Sequence, residues 1–173
     1  MVRLFSCRHR LFTCFVSTCL PLLWVAVCWP ITSVRAQSQL GHQAPDFTLI
    51  DQFGHQTTLH FPQPTHVAIL FSDRHSRSLA GPWAEALTTT SVPLRTMTVA
   101  CIGWIPTVLQ PVLRKAFSQS KPVLLDWNDT ISRRYGYAGG FLLVLITPAG
   151  RIIATENTAY SPARLPALIG LLP

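Results

Sequence analysis

An uninterrupted apolar run of strand length, Val67-Ala68-Ile69-Leu70-Phe71, sets the terms for everything around it. A strand with no polar residue on either face must be covered on both, so this segment belongs at the centre of a sheet with helices above and below. The neighbouring patterns supply those layers. Residues 47–50 and 57–61 alternate around Asp51-Gln52-Phe53-Gly54-His55, a Gly-containing connection that closes a hairpin. Residues 78–89 place Leu79, Trp83, Ala86 and Leu87 at helical spacing, and residues 94–104 are strand-like through Met97, Val99 and Cys101. A second helix is expected over residues 106–118, with Val108, Leu109, Val112, Leu113 and Phe117 inward and Arg114-Lys115 near its C-terminus.

A short buried strand at residues 123–125 comes next. Asp129 or Thr130 then caps a helix through Ile131 and Tyr135 that Gly136 stops. Residues 141–146 form a strand, Thr147-Pro148-Ala149-Gly150 a turn, and residues 151–155 the hairpin partner. A last helix runs from Ser161-Pro162 to about Leu171. The order ββ-βαβα-βα-ββα predicts an α/β protein, a three-layer α/β/α sandwich with a mixed central sheet and an N-terminal β-hairpin.

The first residues have a different logic. Arg3, Arg8 and Arg10 precede a run over residues 11–31 that carries no charge, and Val34-Arg35-Ala36 ends in small residues. This is the pattern of a secretory signal. The run has 21 residues, close to the ~20 that span a bilayer, so an uncleaved anchor is the alternative, giving membrane attachment through residues 11–31. The expected organisation is a signal peptide or anchor at 1–36, a polar linker at 37–43 and one folded domain at 44–173, the whole exported to the periplasm or anchored facing it.

Cleavage after Ala36 would remove four arginines and four cysteines, Cys7, Cys14, Cys19 and Cys28. The remainder holds ten Lys or Arg against seven Asp or Glu, scattered without a basic run, so nucleic-acid binding has no footprint. Cys101 is then the sole thiol, and no intramolecular disulfide can form in the mature part.

The element order, with Ala44-Pro45-Asp46-Phe47-Thr48-Leu49 and Asp51-Gln52-Phe53-Gly54, resembles the opening of the redoxin, peroxiredoxin and TlpA-like branch of the thioredoxin superfamily. Pro122-Val123-Leu124-Leu125-Asp126, Arg134-Tyr135-Gly136-Tyr137 and Pro148-Ala149-Gly150-Arg151-Ile152-Ile153 resemble its second half. The likeness covers residues 43–172 and implies a thioredoxin-like fold. It also implies a catalytic cysteine, often in Cys-x-x-Cys, where the strand at 67–71 leads into the next helix, whose dipole lowers the thiol pKa. Here that loop reads Ser72-Asp73-Arg74-His75-Ser76-Arg77-Ser78 and has no cysteine. The cis-proline that the family places before the strand at 141–146 is replaced by Gly139-Gly140-Phe141. Thiol-disulfide exchange and peroxide reduction need a thiolate, and a serine hydroxyl without a base does not substitute.

Several other residues carry chemistry of their own. Cys101, between Val99 and Ile102 in an apolar strand, is expected to be an inert buried side chain, with a one-cysteine oxidoreductase as the alternative. Asp73, His75 and Ser76 are the residue types of a hydrolase triad, but triads are assembled from separate parts of a fold, and a solvated polar loop is expected. Ser76 and Ser78 open a helix flanked by Arg74 and Arg77, a place where an anion could meet free N–H groups. His42, His55, His60, His66 and His75, spaced by 13, 5, 6 and 9 residues, offer no metal pattern and are expected on exposed strand ends and turns. Trp83, Trp104 and Trp127 are expected to pack in the core, and no cofactor motif is present. The sequence therefore predicts a redoxin-like protein without the dithiol site, binding a protein or small ligand through the loops at 73–78 and 139–141.

Overall fold

A computed structural model describes residues 39–118 and 121–172; the signal or anchor expected at 1–36 lies outside them. The strands are β1 Phe47–Asp51, β2 Gln56–Leu59, β3 His66–Ser72, β4 Leu94–Gly103, β5 Leu124–Trp127, β6 Phe141–Ile146 and β7 Ile152–Glu156. The helices are α1 Arg77–Thr88, α2 Gln110–Ala116, α3 Thr130–Arg134 and α4 Arg164–Ile169, with a 3₁₀ turn Thr107–Leu109 leading into α2. The strands form one sheet in the order β2-β1-β5-β4-β3-β6-β7. β3, β4 and β5 run parallel, and the hairpins β1–β2 and β6–β7 add antiparallel edges on either side. The mixed three-layer α/β/α architecture expected from the sequence is the one observed.

β3 is central because all seven of its residues are buried. Its two faces feed two cores. Val67, Ile69 and Phe71 join Met97, Val99, Tyr135 and Tyr137 on the side of α3. Ala68 and Leu70 join Leu143 and Leu145 beneath Trp83 and Leu87 of α1 and Leu168 of α4. Each such Leu, Ile or Phe contributes roughly 1.5–3 kcal/mol by leaving water. Trp83 satisfies its one donor by giving Nε1–H to the Thr158 carbonyl at 3.0 Å, which pins α1 to the segment before α4.

Four details differ from the sequence expectations. The polar lead does not end at Ala44: Gly41 N–H bonds to the Ile152 carbonyl and Ile152 N–H to that of His42, so residues 41–43 pair with the start of β7 through backbone groups that carry no hydrophobic signal. The helix expected over 106–118 is shorter, and Val108, Leu109 and Val112, expected inward, are exposed, as is Trp104. Asp129 does not cap α3; it sits at φ 55, and Asp126 at the end of β5 accepts from the Ile131 and Ser132 N–H groups instead. His66, expected at the surface, is buried on β3.

Candidate functional site

The parallel strands β3 and β4 end side by side, and the loop leaving β3 meets the loop entering β6. Asp73 organises the encounter. Its Oδ1 accepts from the N–H groups of His75 at 2.9 Å and Ser76 at 2.8 Å, and its Oδ2 accepts from Gly140 N–H at 3.1 Å. The Gly140 carbonyl accepts in turn from the Ser76 hydroxyl and, at 2.9 Å, from the Tyr137 hydroxyl. Asp73 N–H adds a bond to the same carbonyl. Gly139 and Gly140 lie at φ 107 and φ 75, a backbone path that only glycine follows without strain and that brings this carbonyl and N–H to face Asp73.

Burial disfavours the Asp73 carboxylate, but the Ser76 N–H and hydroxyl, with the Gly140 and His75 N–H groups, outweigh it and hold the carboxyl below its usual range. The loop is thus a closed clasp and not the solvated turn the sequence suggested. The residues singled out from the sequence divide accordingly. Asp73, Ser76 and Gly140 come together in the clasp. Arg74, His75, Arg77, Ser78 and Gly139 are exposed at its rim, and Phe141 is buried in the core beneath.

His75 turns away from Ser76: its Nε2 accepts from Arg74 Nε at 3.0 Å, so no triad forms. Of the backbone donors where the helix opens, at Ser76 and Ser78, the Ser76 N–H is taken by the chain's own carboxylate. Arg77 lies over the Phe117 ring at 5.4 Å. Hollows flank the clasp on both sides. One, of about 940 Å³, runs past Ser72, Arg77 and Gly81 over Thr96 and Thr98 of β4. The other, of about 530 Å³, is lined by Asp73, Gly103, Asp129, Arg133, Tyr137 and Gly139. Among the described residues no group of His, Cys, Asp and Glu is placed to hold a metal ion.

Cys101 lies on β4 beneath this arrangement, 6% exposed. Burial pushes its thiol up to about 12, and the nearby Asp126 and Asp129 carboxylates push the same way. The thiol is therefore held protonated at neutral pH. Tyr137 is the residue whose role sequence reasoning missed: its ring lies tilted against Phe71, 6.3 Å between centroids, and its hydroxyl interacts with Cys101 as well as with Gly140. The signal was its place in Tyr135-Gly136-Tyr137, just before the Gly-Gly loop.

No protein-family model matches the chain, and no curated protein sequence matches it. Solved structures do. The exposed lipoprotein thioredoxin of Streptococcus pneumoniae superposes with a TM-score of 0.58 at 18% identity, covering 73% of this chain and 98% of that one. The thioredoxin domain of a thiol-disulfide oxidoreductase from Bacteroides vulgatus gives 0.52 at 17% identity, covering 76% and 95%. A secreted Mycobacterium tuberculosis disulfide oxidoreductase gives 0.51 at 14% identity, covering 73% and 96%. The fold is thioredoxin-like.

Proposed function

From the thioredoxin-like fold as premise, we propose that the protein is an exported accessory or binding protein of the cell envelope that does not perform dithiol chemistry. One observation carries this: where a reactive sulfur would emerge at the start of α1, Asp73, Ser76, Tyr137 and Gly140 form a closed hydrogen-bonded clasp. A clasp of this kind holds its rim rigid, so Arg74, His75, Arg77 and Ser78 are presented as a fixed surface for a protein or small-molecule partner. Export is supported by the signal-like residues 1–36 and by the secreted and lipoprotein origins of the similar structures. The one-cysteine alternative is disfavoured by the burial of Cys101.

The test is insulin reduction and peroxide consumption by the purified protein with dithiothreitol as electron donor. No turnover above the buffer rate is expected. Turnover that disappears in Cys101→Ser would overturn the proposal.

A further inference from the structure

β4 delivers the chain out of the sheet at Gly103, and the segment after it is unlike any other part of the described surface. Trp104 is 78% exposed, Val108 78%, Val112 66% and Leu109 49%. Neither the 3₁₀ turn Thr107–Leu109 nor α2 contains a single buried residue. Val108 and Val112 are four apart and Leu109 and Val112 three apart, so along this helical path they share one face. Soluble surfaces rarely leave such a cluster open without a partner.

The charge carried by the segment itself is one-sided, although the Asp129 carboxylate meets its start by accepting from Gly103 N–H. No Asp or Glu occurs anywhere from residue 86 to residue 125, while Arg95, Arg114, Lys115 and Lys121 do. Arg114 and Lys115 occupy the last turn of α2 itself. Tryptophan, aliphatic side chains and cations on one short element, with acids excluded, match the boundary between lipid headgroups and acyl chains. A second copy of this chain would bring the same cations face to face. We propose that Trp104 and the exposed face of α2 dock on an anionic lipid surface, with Arg114 and Lys115 against the headgroup phosphates and Trp104, Val108, Leu109 and Val112 in the interface. This does not depend on whether the protein has thiol activity.

The experiment is amide hydrogen exchange, read peptide by peptide, on the full chain with phosphatidylcholine vesicles and with vesicles containing about one-third phosphatidylglycerol. Association through residues 11–31, flanked by Arg3, Arg8, Arg10 and Arg35, also favours anionic vesicles, so the contact is identified by slowing over residues 104–116 that the substitutions in α2 remove. Exchange over residues 104–116 should slow at least about fivefold on the anionic vesicles alone. The slowing should vanish at about 0.5 M salt, in the double variant Arg114→Ala, Lys115→Ala, and in Val108→Ser, Val112→Ser. Unchanged protection of β3 would show that these variants are folded. Equal exchange on the two kinds of vesicle, slowing that survives the substitutions, or protection with the protein alone would each overturn the proposal, the last because the chain or a second copy would then be the occupant.

Discussion

A carboxylate that accepts from three backbone N–H groups is a structural element in its own right, and Asp73 is the residue on which the clasp depends. Removing it in Asp73→Ala leaves those donors unpaired and should cost about 1–3 kcal/mol at pH 7 by urea denaturation. The pH dependence has a definite sign. Because the folded carboxyl is held below its usual range, its contribution is complete above the ordinary ~4 and is lost as pH falls through the depressed folded value. Wild type and Asp73→Asn should therefore differ most near neutrality and converge in acid. Asp73 and Ser76 were visible in the sequence, but their partner Gly140 is 64 residues beyond Ser76, and nothing local distinguishes a clasped Asp-x-x-Ser from a solvated one. Cys101 was easier to place, because Val99 and Ile102 announce an apolar strand around it.

Elements were legible in proportion to how much of their surface is committed. β3 and β6 carry apolar residues on both faces, which admits only a covered position in a sheet. Leu70→Ala, in the core beneath α1, should cost about 2–5 kcal/mol by thermal or urea unfolding. α2 carries a helical period too, yet periodicity states that a face is apolar without stating what covers it. Val112→Ser should accordingly leave stability within about 0.5 kcal/mol in the absence of lipid, a contrast with Leu70→Ala that the inward placement expected from sequence would not give. The start of α3 failed for a related reason: Asp129 occupies the sequence position of a cap, but Asp126 reaches the Ile131 and Ser132 N–H groups from the end of β5.

Across the fold as a whole, the described residues rest on two apolar cores on either side of one sheet, with no disulfide among them. Cys101 is the one cysteine among the described residues, so melting of the domain should be the same with and without dithiothreitol, as read by circular dichroism. The thioredoxin-like architecture followed from element order, whereas the chemistry depended on where a single sulfur sits in three dimensions. A protein without thiol chemistry requires that this sulfur be inaccessible. Alkylation by iodoacetamide at pH 8, followed at the Cys101 peptide by mass spectrometry in native and urea-unfolded full chain, measures that directly. The native rate should be at least about 10²-fold slower than the unfolded rate, and labelling of the native protein at the unfolded rate would contradict the claim.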